Sequence, residues 1–159
     1  MYNIFDICTY ILYYSNTKSY DISNLKLQKL LYSLQAYYLV TQHQPLFTTP
    51  IEAWSVGPII PSVYKKYAAY GSGNISIDTT TEPLILPEIS APDKQTISEI
   101  VDHFADYTAT DLVYITQNQA PWKRSYNPTK HNVIPLKVIY KYFAEAAKQR
   151  FPEFEVEKK

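Results

Sequence analysis

Glycine is scarce, with three in 159 residues. Gly57, Gly71 and Gly73 fit no phosphate-cradling fingerprint, so a nucleotide-binding loop has no support. Cysteine is scarcer still: Cys8 stands alone, which excludes an internal disulfide. Excess charge of one sign is also missing. Lys and Arg total 15, Asp and Glu total 15, and the net charge is zero. A dedicated nucleic-acid binder carries a basic excess or stripe, so nucleic acid is an unfavoured partner. No apolar run approaches the ~20 residues of a membrane span. The first residues include Asp6 and no basic leader region, so a signal peptide is not expected either. The expectation is a cytoplasmic chain.

Catalytic and metal-binding sets are also lacking. His43, His103 and His131 lie far apart with no ligand spacing, and one cysteine adds little, so no metal is expected. Cys8 sits on the apolar stripe of a helix and reads as core. Asp102 and Asp106 share a helix face beside His103, but a solvated face explains them better than a proton-sharing pair. No Ser-His-Asp or Cys-His arrangement can be assembled. The reading is a non-enzyme without a cofactor.

What is abundant is tyrosine, 16 residues, within a composition that is 46% apolar and 19% charged. That composition is globular. Tyrosine suits interfaces because it covers apolar area and keeps a polar tip, although core filling accounts for most of so many. Length and pattern give one domain over residues 1–150 and a charged, loose tail over 151–159.

The organising element is a helix over about residues 24–42. Leu27, Leu30, Leu31, Leu34 and Tyr38 form one apolar stripe at helical spacing. Leu25, Tyr32, Ala36 and Leu39 form a second, nearly opposite one. A helix apolar on both flanks is a buried hub. Lys26 and Lys29 share a polar side, which reads as a solvated stripe. A helix buried on both sides would instead have to pair them, with Glu52 one candidate partner.

Around this hub the pattern predicts a helix from Tyr2 to about Ser15, a cap at Asp21 or Ser23, and helix loss near Gln42–Gln44 before Pro45. Ile51–Trp54 reads as a short strand or extended segment, Gly57-Pro58 as a turn, and Pro61 as the start of a helix stopped by Gly71. Further helices are expected over Asp93–Tyr107, after a Thr108 or Thr110 cap, and from Pro135 onward. Asn118–Pro121 reads as a break. The fold class is mainly α: a single compact helical domain around the central helix, with at most a small two-stranded β element near 74–86.

Three segments of this chain, in order, carry a family resemblance. Leu25-Lys26-Leu27-Gln28-Lys29-Leu30-Leu31-Tyr32 is followed by Pro45-Leu46-Phe47 and then by Ile51-Glu52-Ala53-Trp54-Ser55-Val56-Gly57-Pro58-Ile59-Ile60-Pro61. In that order they resemble the Panacea domain of SocA-like and GepA-like proteins of bacteria and phages. Pro121-Trp122-Lys123 resembles the family's PW segment, which usually follows a Thr-His pair; here the pair reads Thr116-Gln117. The resemblance implies an antitoxin that neutralises a cognate toxin by direct protein contact. It also implies an alternative, an adaptor that delivers its toxin to a AAA+ protease. A phage-associated accessory role with nucleic-acid-binding or enzymatic activity is a third reading. The candidate partner-binding residues are Tyr32, Trp54, Tyr64, Lys65, Tyr67 and Trp122. Each has core packing as its competing explanation. For Trp54 that means an indole N–H paired to backbone; for Trp122 it means a plug closing the helical layer.

Overall fold

The computed structural model describes residues 1–77 and 84–150. The mainly helical expectation holds. Helix α1 (Ile4–Thr17) is capped by Asn3, whose side chain accepts from the Phe5 amide. Helix α2 (Asn24–Gln42) starts at a Ser23 cap and ends where His43 turns left-handed, with φ 56°. Strands β1 (Glu52–Trp54) and β2 (Gly57–Ile59) form an antiparallel hairpin with Glu52 opposite Ile59 and Trp54 opposite Gly57. Helix α3 (Pro61–Lys66) has proline in its first turn and runs into a 3₁₀ turn, Ala68–Tyr70, that ends at Gly71. Helices α4 (Ala91–His103), α5 (Ala109–Gln117), α6 (Ala120–Ser125) and α7 (Leu136–Arg150) complete the order.

The hub is where the sequence places it. Helix α2 packs against α3, α4, α5, α7 and β2. Only Leu25, Ser33, Tyr37, Thr41 and Gln42 along it escape burial. Leu27, Leu30, Leu31 and Leu34 are fully enclosed, each contributing about 1.5–3 kcal/mol relative to exposure. Cys8 lies in the same core, and burial pushes its thiol up to about 12, which keeps it unreactive.

Three expectations change. The two-stranded sheet lies at residues 52–59 rather than near 74–86. Residues 78–83 of that segment fall outside the described residues; its flanks 75–77 and 84–86 are not strands, and Asn74 bridges to Ser23 instead. Past the break at Asn118–Gln119, Pro121 opens a short helix. A proline obstructs a helix interior but suits its first turn, where the lost N–H has no partner in any case. Finally, Lys26 and Lys29 are buried, not solvated.

The tyrosine excess has a structural use. Asp93 accepts hydroxyls from Tyr2 and Tyr38, and Asp102 accepts from Tyr14 at 2.7 Å and Tyr20 at 2.8 Å. Tyr10 pairs with Ser98 at 2.8 Å. Helix α4 is thus fastened to α1 and α2 by phenols, with little ion pairing. Thr108 and Asp111 cap α5 reciprocally, at 3.0 and 2.9 Å.

Candidate functional site

The three motif segments meet, and buried polar side chains of α2 join them. Gln28 accepts the Ile60 amide at 2.8 Å and donates to Asn24 at 3.0 Å, while Asn24 donates to the Tyr64 carbonyl at 2.8 Å. Beside it, Lys29 Nζ donates to the Pro58 carbonyl at 2.8 Å. Gln35 closes the other loop: its amide donates to the Phe47 carbonyl at 2.7 Å and its oxygen accepts from the Leu46 amide at 2.9 Å. Backbone groups leaving water must be paired, and here a helix side chain supplies each partner. The lysine expectation is therefore corrected. Glu52 is not the partner of Lys29; it accepts from the Trp54 indole at 2.9 Å and lies 4.0 Å from His131.

Gly57 makes the arrangement possible. Its φ is +98°, and a Cβ there would lie 2.9 Å from Thr116 Oγ1 and 3.0 Å from Lys29 Cε. Burial lowers the Lys29 ammonium to about 7, since a carbonyl alone offsets the loss of water only in part. Lys26 is also lowered by burial, with Asp106, Asp111 and Asp21 opposing; its amine donates to the Ala105 carbonyl at 3.2 Å.

The hairpin is gripped from a second direction. Trp122 donates its indole N–H to the Trp54 carbonyl at 2.7 Å, and Gln117 donates to the Ser55 carbonyl at 2.7 Å. Gln117, where the family usually has histidine, therefore serves as a donor to the turn. The Trp54 ring stacks on His131 at 4.4 Å and meets Tyr64 edge-on at 5.4 Å; Trp122 stacks on Tyr126 at 4.5 Å.

The six candidate residues divide by depth. Trp54, Tyr64 and Trp122 are half-buried, and Lys65 is exposed. Tyr32, 1% exposed, donates to Gln119 at 2.9 Å and packs edge-on against Phe143. Tyr67 is also buried. These two lie in the hydrophobic core. The competing explanation for Trp54 differs in detail: its indole pairs with the Glu52 carboxylate, not with backbone.

Sequence reasoning missed a second surface. Tyr114 on α5 is 71% exposed, beside exposed Ile115 and Tyr107, and with Asp106, Thr110 and Asp111 they line a shallow depression. Leu112 and Thr116 face inward on the same helix, and at helical spacing this places Tyr114 on the outward side. Among the described residues no group of three His, Cys, Asp or Glu side chains could hold a metal. No described helix is long and apolar enough to cross a membrane.

Comparison with known proteins matches the same stretch of the chain. The family model described as "Antitoxin SocA-like, Panacea domain" matches residues 27–123. Antitoxin SocA of Caulobacter vibrioides (strain NA1000 / CB15N) is 34% identical over 110 residues, covering 64% of this chain and 58% of that protein. The match thus spans less than two thirds of the relative's own length. No solved structure matches the chain. The matched segment contains both the α2 side chains and the hairpin they hold, and the chain belongs to the SocA-like antitoxin family of Panacea domains.

Proposed function

We propose that this protein is an antitoxin that neutralises a cognate toxin by direct contact, covering the toxin's active site or docking patch. Membership of the antitoxin family carries the reading. The outward Tyr107, Tyr114 and Ile115, on and just before α5 inside the matched segment, support it. Exposed aromatic residues rimmed by polar ones are a common form of protein-binding surface. Trp54, Tyr64 and Lys65, on the rigidly held hairpin and the helix after it, are the second group of contact candidates. A stable complex needs about 800 Å² from each partner, which an 18.4 kDa chain can supply. Such a pair acts in the cytoplasm.

The test is co-expression with the product of the adjacent gene. Occlusion predicts that the two proteins co-purify and that growth is rescued while the toxin's half-life is unchanged. A toxin that vanishes only when this protein and a AAA+ protease are both present makes the protein an adaptor instead. Absence of both binding and rescue removes the antitoxin reading.

A further inference from the structure

Helices α6 and α7 form a groove of about 520 Å³, lined by none of the contact candidates named above. Its floor is apolar, with Ala120 from α6 and Val138, Tyr142 and Ala146 from α7. Its charge is one-sided: Arg124 stands on α6 and Lys137 and Lys141 on α7, against a single carboxylate, Glu145. Among the described residues none of these three cations forms an ion pair. The chain as a whole is neutral, so this is a local concentration of positive charge.

Lysines along one helix ordinarily ride a solvated face. Two features argue against that here. The third cation comes from a different helix, so the charges border a concave apolar strip. And Lys137 and Lys141 are four apart, a like-charge spacing that weakens a helix. Glu145, four beyond Lys141, is the one carboxylate lining the groove to offset it, and an anionic occupant would relieve the rest. Almost all of the groove also lies beyond the family match, which ends at residue 123; only Ala120 falls inside it.

We propose that the α6–α7 groove docks an acidic amphipathic segment of a partner protein. Its apolar side would lie on Val138, Tyr142 and Ala146, and its carboxylates would meet Arg124, Lys137 and Lys141. The inference deepens the antitoxin reading: it assigns partner choice to residues outside the shared domain segment, by charge complementarity. A nucleic-acid duplex fits less well, because its phosphates would not use the apolar floor.

The test titrates the full-length chain with a fluorescein-labelled synthetic peptide of Glu and Leu at helical spacing, read by anisotropy. Binding should occur and weaken with salt. The double variant Lys137→Glu with Lys141→Glu should bind at least about tenfold more weakly. The charge-matched control Lys18→Glu with Lys130→Glu, both exposed and outside the groove, should bind like wild type, and a Lys/Leu peptide should show no binding to wild type. Circular dichroism checks that each variant is folded. The proposal is overturned if wild type ignores the acidic peptide, or if both double variants lose it equally. It is also overturned if a short DNA duplex binds with the same dependence while the peptide does not. A dimer that the α7 double variant abolishes would give the groove to a second copy of this chain and overturn it likewise. The assay uses no toxin, so a failed co-purification with the adjacent gene's product leaves this result standing on its own.

Discussion

Lys29 Nζ and the Pro58 carbonyl oxygen lie 2.8 Å apart, and this bond ties the hub helix to the turn of the hairpin. Lys29 is 1% exposed. Burial lowers its amine from 10.5 to about 7 in the folded state. Between those values the unfolded chain binds more protons than the folded one, so stability rises with pH across that window. Buried tyrosines oppose this at higher pH, because Tyr32, Tyr38 and Tyr67 ionise less readily folded than unfolded. A folded chain that holds its phenol protons while the unfolded one sheds them loses stability as pH rises past the ordinary tyrosine value. The buried Cys8 thiol, raised from 9.0 to about 12, opposes the rise in the same way from about pH 9. Urea midpoints should therefore climb from pH 7, level off at about pH 9 and fall beyond it. In Lys29→Met the climb should flatten. A variant that keeps the wild-type slope would place the titration elsewhere.

Gly57→Ala should destabilise by about 2–3 kcal/mol. The methyl meets both the strained φ of +98° and the Lys29 and Thr116 side chains. Gly71→Ala provides the comparison: its φ is +56° but no atom lies within 4 Å of the added Cβ. Backbone conformation alone should cost about 1 kcal/mol there. Equal midpoint shifts in the two variants would mean that crowding at Lys29 contributes nothing.

Gln28→Ala should cost about 2–4 kcal/mol, since a cavity forms and the Ile60 amide loses its acceptor. Hydrogen exchange should report the damage locally, with the Ile60 amide becoming the most accelerated. A stable variant with Ile60 still protected would show that the turn holds itself.

Asp93 should set part of the acid sensitivity. Burial pushes its carboxyl up, but the hydroxyls of Tyr2, Tyr38 and Ser90 outweigh that and hold it below its ordinary value. The stability this gives is present above the ordinary carboxylate pKa of about 3.9 and is lost as pH falls through the folded value. Asp93→Asn should be less stable than wild type at pH 7, with the gap narrowing on acidification. Parallel denaturation curves at pH 7 and at about pH 3 would check the sign.

Tyr114→Ala should separate binding from folding. With 71% of the residue exposed, its loss should change stability by less than about 0.5 kcal/mol. Toxin affinity should drop by about 1–3 kcal/mol if this ring is an anchor. Calorimetry with the purified toxin measures it.

The hub was legible because its evidence is intrinsic: two apolar stripes and a capping residue, Asp21 or Ser23, specify α2 wherever its neighbours lie. The fate of Lys29 was not legible. Its acceptor is a backbone carbonyl, and no residue letter announces which carbonyl will face a lysine 29 positions away. The same holds for the Trp122 indole, whose acceptor is the carbonyl of Trp54. Glu52, one candidate partner for the lysines of α2, turned out to serve its near neighbour Trp54. Helix α6 was hidden for a different reason: a proline signals an ending and a beginning alike, and the packing of Trp122 and its neighbours decides between them. At the surface, the aromatic residues most easily noticed, Tyr32 and Tyr67, proved to be interior. Tyr114 sat in plain view on the outward phase of α5.

The amides and the amine inside α2 bear on how such proteins change over time. A leucine in a core can be exchanged for isoleucine or methionine with modest adjustment. Gln28 must both give and receive at fixed angles, and few side chains can do that. Divergence in this lineage should therefore erase the greasy positions sooner than Gln28, Lys29 and Gln35. Distant cousins would then be better found by those three letters than by hydrophobic pattern.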